Sequence, residues 1–559
     1  MRFGEPYRRG MRVPTRQAVE PAVLKALSIC LISPRFAPSF WGREHALPLL
    51  PGDKRQWMMT GGLPLLAALV TAPHTVTLID EAVEPIDFEA LKAFDVIGLT
   101  GMIVQRDRMR DILLALKDHD AQVIVGGPYA SIDEAFFEGL CDALFVGEAD
   151  TTWPAYIDAL ARGETPGYRH EQTTPTDMTT VPTARFDLMK GQHYASASLQ
   201  YSRGCPFTCE FCDIIVIFGR RPRVKAPAQV IAELDQVRQA GFTNCFVVDD
   251  NFIGNKVAVK TLLPEIIAWQ EAHGYPLTLS TEATLNLADD PVLLDLMFRA
   301  NFRDVFIGIE SPREASLAET RKLQNVRGDP MSDKLARIRD AGIVVSAGFI
   351  VGFDEDDPAI FDEQLRFIED NNIAQAALGA LTALPKTPLY DRLAAAGRLR
   401  PDDPMCNFEP RKMTRDQLVA GCAEVQRKLY TPEAFFGRVR RNLAPPSALL
   451  AQRAALRSDP LGRRNRARQV FGEIVTSALL LRKLVRAMRR DGQGWTEMKA
   501  YVREYRKMPR GAMGLAAFLG LCALHRHHHV LTQKAPKSAR DGISLYGVAP
   551  IGESDTTAA

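Results

Sequence analysis

The strongest constraint on this chain is an alternation of short apolar runs with amphipathic, helix-length segments, and the alternation occurs twice. Between Leu24 and Gly163 the apolar runs are ALSICLISP, VTLIDE, DVIGLTGM, AQVIVGGP and DALFVGEAD, with stretches such as Arg108–Lys117 (RMRDILLALK) between some of them. Each run is β-rich, and most end in Gly, Pro, Asp or Ser. Strands alternating with helices imply a parallel sheet, because parallel neighbours need a crossover element between them. Residues 24–163 therefore read as a doubly wound, Rossmann-like α/β domain. Ligands of such sheets sit outside the carboxyl ends of the strands. Those ends carry Thr100-Gly101, Gly126-Gly127-Pro128 and Gly147-Glu148-Ala149-Asp150. Small residues there let a bulky ligand approach the backbone, which makes Thr100, Gly101, Gly126, Gly127, Gly147 and Glu148 candidate cofactor contacts. Many nucleotide-binding and purely structural folds share the pattern.

Residues 164–195 are rich in Pro and Thr and read as a linker. Over 196–400 the alternation resumes, with strand candidates SLQYSRG, NCFVVDDN, LTLSTEA, DVFIGIES, VVSAGFIVGF and AALGALTALP. Helices are expected at Ala228–Ala240, Thr261–Glu271, Pro291–Ala300 and Pro358–Asn371. Six strand–helix repeats predict a partial (β/α)6 barrel, with its chemistry on the loops after the strands. From 401 to 534 the chain turns helical and basic, with 19 Lys/Arg against 5 Asp/Glu between Arg438 and Arg510. Residues 1–23 read as an extension and 535–559 as a disordered tail.

Composition narrows the function classes. The 69 basic and 67 acidic residues leave a formal net charge of +2, so the chain as a whole is no nucleic-acid binder. The N-terminus lacks an apolar core of the signal-peptide kind, and no run reaches the ~18–20 apolar residues of a spanning helix. A cytoplasmic location is expected. The longest apolar candidate, Gly511–Leu524, reads as a buried helix, with an interfacial membrane contact as the alternative. Nine cysteines without a disulfide-scaffold rhythm fit reduced thiols, and three of the nine are crowded into eight residues.

Those three lie in Tyr201-Ser-Arg-Gly-Cys205-Pro-Phe-Thr-Cys209-Glu-Phe-Cys212-Asp213, just after the first strand of the second alternation. Cysteine thiolates are the usual ligands of a four-iron cubane. Cys205, Cys209 and Cys212 would leave one iron open to chelate a small molecule, the property that separates catalytic metal centres from closed structural ones. Zinc would want a fourth Cys or His, and Asp213 is a poor substitute.

The C-x3-C-x-aromatic-C pattern after the first strand of a partial barrel resembles the radical SAM superfamily. The resemblance implies a [4Fe–4S] cluster on the three cysteines, S-adenosylmethionine on the open iron, and a 5′-deoxyadenosyl radical released by one electron from a flavodoxin- or ferredoxin-type donor. It places Phe211 beside the adenine. It assigns Gly348, Ile350 and Gly352 in Gly348–Glu355 (GFIVGFDE) to adenine contact. Gly308, Glu310 and Ser311 in Phe306–Ser311 (FIGIES) go to the ribose or methionine part. Asp249 and Asp250 in Val248–Asn251 go to the methionine amino group. Strand-end packing is the alternative for each.

A doubly wound domain ending in VGEAD ahead of these cysteines is similar to the cobalamin-binding subgroup. SRGCPFTCEFCDI, VVDDNFIGN, FIGIESP and GFIVGFD resemble the branch with hopanoid C-2 methylases, whose relatives include anaerobic magnesium-protoporphyrin ester cyclases. No D-x-H-x-x-G motif is present, so the resemblance implies cobalamin without a histidine ligand from the protein, or an empty domain. The leading expectation is a C-methyltransferase acting on an unactivated carbon of a hopanoid-like lipid or other small molecule. Oxidative cyclisation and a non-catalytic cobalamin or redox sensor are the alternatives.

Three features stay outside these motifs. Pro34–Phe36 and Pro38–Trp41 follow the first strand, where an aromatic could cover the corrin or simply anchor the loop. His525, His527, His528 and His529 read as a solvated helix end. The basic stretch Arg438–Arg510 reads as a solvated face, with peripheral membrane contact as the alternative.

Overall fold

The structure, a computed structural model, describes residues 25–36, 38–401, 406–443, 462–490, 494–511 and 513–534. The segments read as an N-terminal extension and a C-terminal tail lie outside the described residues.

The first alternation forms a six-stranded parallel sheet: β1 (Ser28–Ser33), β3 (Thr75–Asp80), β4 (Val96–Thr100), β5 (Gln122–Gly126), β6 (Ala143–Val146) and β7 (Arg169–Glu171), in the order β3-β1-β4-β5-β6-β7. Successive residues of one strand point to opposite faces. Accordingly Cys30, Ile32, Ile97 and Leu99 pack on the helix Arg106–Ala115 through Met109, Ile112 and Leu113. Ile29, Leu31, Val96 and Phe145 pack on the other face against Leu63, Trp153 and Ile157. Both faces are covered, which is why the strands read as continuous apolar runs. The strand order reverses between β1 and β4, and such a switch point opens a crevice at the carboxyl ends. β7 falls in the stretch read as a linker: it pairs with β6, Leu144 to Arg169.

The second alternation forms a seven-stranded parallel sheet, β15-β14-β13-β12-β11-β8-β2. Its members are β2 (Gln56–Met58), β8 (Tyr194–Leu199), β11 (Asn244–Val247), β12 (Thr278–Glu282), β13 (Phe302–Glu310), β14 (Val344–Val351) and β15 (Ala376–Ala380). Six strands follow the expected half-barrel. The seventh, β2, comes from the N-terminal half and pairs Gln56 with Tyr194. The first barrel strand also starts earlier than SLQYSRG suggests and breaks at Gln200. The next residues, β9 (Ser202–Arg203), turn aside to pair antiparallel with β10 (Arg223–Val224). This two-stranded neck closes the loop that carries all three clustered cysteines.

The C-terminal helices Arg415–Leu429, Pro432–Asn442 and Leu515–Lys534 pack at the β15 side of the barrel. The Tyr430 hydroxyl donates to Ala376 O and accepts from Ala376 N, both at 3.0 Å, and so finishes the edge strand. The helix Leu515–Lys534 is buried through Phe518, Leu519, Cys522 and Ala523, as expected of the apolar run, and no helix among the described residues is long and apolar enough to cross a membrane.

The histidine run departs from expectation. His525, His527 and His528 are buried, not solvated. His525 bridges the Tyr501 hydroxyl (2.7 Å) and Tyr430 O (3.2 Å), His527 meets Ser39 O at 2.9 Å, and His528 stacks on Phe40 at 4.1 Å. Burial pushes the His525 and His527 imidazoles down to about 3 and keeps them neutral. The partners give the reason: backbone carbonyls and a phenol satisfy the His525 and His527 rings where water was expected, and His528 is held by stacking. The loop after β1 is thereby anchored, with Phe40 under this helix and Trp41 edge-on to Phe306 at 5.0 Å. Arg438, at the head of the basic stretch, is also buried, on Glu369 (2.7 Å) and Leu429 O (2.7 Å).

Candidate active site

The loop from Gly204 to Pro222 begins and ends on arginines. Arg203 Nη1 contacts Glu148 at 2.7 Å and Asp150 at 2.6 Å, while Arg223 Nη1 contacts Glu148 at 2.8 Å and Thr176 O at 2.8 Å. Thr176 N also donates to Glu148 at 3.0 Å. Two buried carboxylates of the N-terminal sheet thus hold both roots of the cysteine loop. Glu148, a candidate cofactor contact, has both oxygens engaged in this network.

Gly204 has φ +95, and a Cβ there would sit 3.0 Å from the carbonyls of Gly219 and Arg221. The Cys205 amide donates to Gly219 O at 3.2 Å. The fold back is therefore tight, and glycine is the residue that allows it. Asn251 Nδ2 points at Cys205 Sγ (3.9 Å) and Gln324 Nε2 at Cys209 Sγ (3.5 Å). Burial pushes the Cys205 and Cys212 thiols up, so deprotonation there requires a positive partner. Among the described residues no three His, Cys, Asp or Glu side chains close around a single ion. A cubane needs no such closure, because each cysteine binds its own iron.

Lys322 Nζ pairs with Glu310 Oε1 at 2.7 Å and lies 5.8 Å from the Phe211 ring centroid, both charges being buried. Glu310 reaches this position through a bulge in β13, with φ +64. Gly308 stands opposite Gly348 across β13 and β14. A Cβ on Gly308 would strike the Glu310 carboxylate at 2.2 Å, and one on Gly348 would strike Phe306 at 2.9 Å. Ile350 is half-buried two residues further along β14. Gly352, φ +119, is packed under Leu418 and Phe408 instead. Ser311 is fully buried and accepts from Arg313 N at 3.2 Å. Glu355 turns outward to Lys412 at 2.7 Å.

The neighbouring aspartates separate. Asp249 is consumed by the backbone: it accepts from Tyr201 N (2.7 Å), Ser202 N (2.9 Å) and Ser202 Oγ (2.7 Å). It braces the strand leading into the cysteines. Asp250 keeps one acceptor on Gly204 N (3.2 Å), and burial pushes it up to about 7. Near it Glu282, at the end of β12, is pushed up to about 8 by burial and by Asp250 and Asp249, with Lys322 opposing.

In the N-terminal crevice, a Cβ on Gly127 would strike Thr100 Oγ1 at 2.3 Å, and Gly101 is packed against Met109 and Gln105. Gly126 touches Phe145, whereas Gly147, φ +74, borders open space. Thr100, Gly101, Gly126, Gly127 and Gly147 therefore do gather at one sheet edge, and only the last has free room.

No sequence motif marks Lys322, Gln324, Asn325 or Glu282. Asn325 Nδ2 donates to Gly308 O and Ile309 O at 3.0 Å, while its Oδ1 and the Oε1 of Gln324 are buried without a partner. Lys322, Gln324 and Asn325 share one short helical turn that matches no motif, and the barrel fold brings Glu282 of β12 toward it.

A family model described as the radical SAM superfamily matches residues 199–368, the cysteine loop and most of the barrel. A methyltransferase of Synechocystis sp., itself uncharacterized, is 40% identical over 73% of this chain and 77% of its own length. The chain belongs to the radical SAM superfamily. Within it, the hopanoid C-2 methylase of Rhodopseudomonas palustris is 36% identical over 74% of this chain and 79% of its own length. The magnesium-protoporphyrin IX monomethyl ester cyclase of Cereibacter sphaeroides covers less, 27% identical over 42% of this chain. Among solved structures, the cobalamin-dependent radical SAM enzyme OxsB has a TM-score of 0.57, at 15% identity over 89% of this chain and 84% of its own. The radical SAM methyltransferase TsrM from Kitasatospora setae has 0.53, at 17% identity over 66% and 76%. These two share the fold: a doubly wound sheet ahead of a half-barrel. A second family model, a domain of unknown function (DUF4070), matches residues 387–540.

Proposed function

We propose that this protein is a cobalamin-dependent radical SAM C-methyltransferase acting on an unactivated carbon of a polycyclic lipid or similar small molecule. The observation that carries the reading is the 36% identity to hopanoid C-2 methylase over 420 residues, a span longer than either sheet-bearing region. An unactivated carbon has no acidic proton, so acid–base catalysis cannot open it and the hard chemistry falls to cofactors.

The residues present fit the groups this reading needs. Cys205, Cys209 and Cys212 offer three thiols for a [4Fe–4S] cluster, with amide donors from Asn251 and Gln324 on two of the sulfurs and the Lys322 ammonium nearby to balance an anionic cluster. Bound there, the cluster and S-adenosylmethionine supply an adenosyl radical, and cobalamin carries the methyl group. The facing glycines Gly308 and Gly348 make room for the Glu310 carboxylate and the Phe306 ring on the barrel wall where the nucleoside would lie, with Phe211 near Lys322. The unpartnered oxygens of Gln324 and Asn325 accept N–H or O–H groups there. At neutral pH the Glu282 carboxyl is largely neutral, while Asp250, at about 7, is shared between its two forms. Gly147, at the carboxyl end of β6, offers cobalamin open room beside the N-terminal sheet.

The electron enters from a flavodoxin- or ferredoxin-type carrier. A cavity of about 450 Å³ beside Cys205 is lined by Pro206, Phe207, Arg221 and Lys256. Exposed Arg220 and Arg221 have no ion-pair partner among the described residues, a surface suited to an acidic carrier.

The test is an anaerobic assay of reconstituted protein with methyl-labelled S-adenosylmethionine and a polycyclic lipid extract. Label in a product, formed together with 5′-deoxyadenosine, is expected. Release of 5′-deoxyadenosine with no labelled product sinks the methyl-transfer reading. The lipid profile of a deletion strain against its parent then names the substrate.

A further inference from the structure

Exposed apolar side chains are unevenly distributed over the molecule. Of 17 large apolar residues exposed among the described ones, eight fall between Ile474 and Leu515. In the helix Gly494–Lys507, Trp495, Lys499, Val502 and Arg506 recur at i, i+4, i+7 and i+11 and so form one stripe. Trp495 is 74% exposed and Val502 43%. The opposite side of the same helix is buried, and its acidic residues point inward. Glu497 pairs with Arg526, and Glu504 with Arg440 (3.3 Å) and Lys507 (2.5 Å). Lys499 and Arg506 have no ion-pair partner among the described residues.

The helix Gly462–Arg490 repeats the arrangement. Leu480, Leu484 and Met488 are buried, while Ile474 is 61% exposed. Arg482, Arg486 and Arg489 are exposed with no ion-pair partner among the described residues. On the helix Gly494–Lys507 the acids turn inward and the bases stay outward beside a tryptophan. On the helix Gly462–Arg490 the single exposed acid, Glu473, is outnumbered by exposed Arg482, Arg486, Arg489 and Arg490, so the surface is cationic and apolar together. A face of that kind suits the headgroup–acyl boundary of an anionic bilayer. A second copy of the chain is a poorer match, because two such basic faces would repel.

We propose that the exposed face of the helices Gly462–Arg490 and Gly494–Lys507 is a docking surface for anionic membranes, through which the enzyme lies on a bilayer. The inference does not depend on methyl transfer, and its test needs no turnover. Full-length protein is sedimented with vesicles of phosphatidylcholine alone or with about 30 mol% phosphatidylglycerol. At least tenfold stronger partition onto the anionic vesicles is expected, weakening as salt rises. The variant Trp495→Ser/Lys499→Glu/Arg506→Glu is expected to lose at least tenfold in partition with an unchanged circular dichroism spectrum. If it misfolds, the charge-only pair Lys499→Glu/Arg506→Glu replaces it. Equal partition on both vesicles, or variants that bind like the parent, overturns the proposal. So does a parent dimer that the variant converts to monomer without any vesicle binding.

Discussion

Lys322 sits where burial alone would strip its proton, yet Glu310 at 2.7 Å and the thiols of Cys209 and Cys212 hold it charged, above the ordinary lysine value. A buried cation beside three thiols favours electron density on the sulfurs, as do the amide donors on Cys205 and Cys209. Hydrogen bonds to cluster sulfurs raise the reduction potential. Replacing Gln324 with Leu removes one donor from Cys209. If that bond is worth about 1 kcal/mol more in the reduced state, the potential falls by roughly 40 mV. An EPR-monitored redox titration reads it, and an unchanged potential would mean that the Gln324 amide does not touch the cluster. Glu282 makes a different prediction. Its pKa is raised to about 8, so the folded protein keeps a proton that the unfolded chain, with an ordinary carboxyl near 4, releases. The sign follows: this contribution to stability is full below about pH 4, is lost progressively as pH rises from there to about 8, and changes no further above that. Asp250, at about 7, acts in the same direction. Glu282→Gln should flatten the decline of the thermal midpoint between about pH 6 and pH 8, while Asp304→Asn, whose parent carboxyl is raised only to about 6, should not.

The neck formed by β9 and β10 shows what an element contributes beyond its length. It is two residues per strand, yet it fixes both ends of the cysteine loop to the N-terminal sheet through Glu148 and Asp150. Removing one partner from a buried charge network strands the others, at a cost of about 3–5 kcal/mol. Glu148→Gln leaves Arg223 without a carboxylate and is expected to destabilise the protein on that scale, read by chemical denaturation. Asp150→Asn, which leaves Glu148 on both arginines, should cost less. Elements of this kind explain what the sequence conceals. The β-branched runs announce eleven strands because burial on both faces demands an apolar stretch. β2, β7, β9 and β10 are two or three residues of mixed character (QWM, RHE, SR, RV), specified by their partners. The same holds within the site. The cysteines are legible because the loop brings its own spacing. Lys322 and Gln324, from the short helical turn after β13, and Glu282, from the end of β12, are not, since no spacing links the two segments. Asp249 and Glu148 carry the right residue type for a ligand and spend it on the backbone and on arginines.

Across the whole molecule, the C-terminal helices brace the barrel from the β15 side and pin the loop that leads from the N-terminal sheet into β2. Three contacts make the connection: His527 on Ser39 O, His528 stacked on Phe40, and Lys483 Nζ on Leu50 O at 2.6 Å. The loop in turn sets Trp41 against Phe306 on the barrel strand that carries Gly308 and Glu310. The two buried histidines at the centre of this docking differ in one respect. Both ring nitrogens of His528 lack a hydrogen-bond partner, whereas His525 uses one on Tyr501 and the other on Tyr430. Leaving a buried polar atom unsatisfied is unfavourable, and replacing it by an apolar group of similar size is neutral or stabilising, while deleting a satisfied partner strands its neighbours. His528→Leu should therefore leave the thermal midpoint unchanged or raise it, at the loss of one aromatic stack. His525→Leu should lower stability by about 2 kcal/mol, because the Tyr501 hydroxyl is left with the longer contact to Cys522 O (3.4 Å) and Tyr430 O loses the His525 ring inside the core. A differential scanning calorimetry comparison of the two variants decides the matter. Equal destabilisation would mean that His528 has a polar partner in solution, such as a buried water, and that the helix is held by polar contacts at both positions.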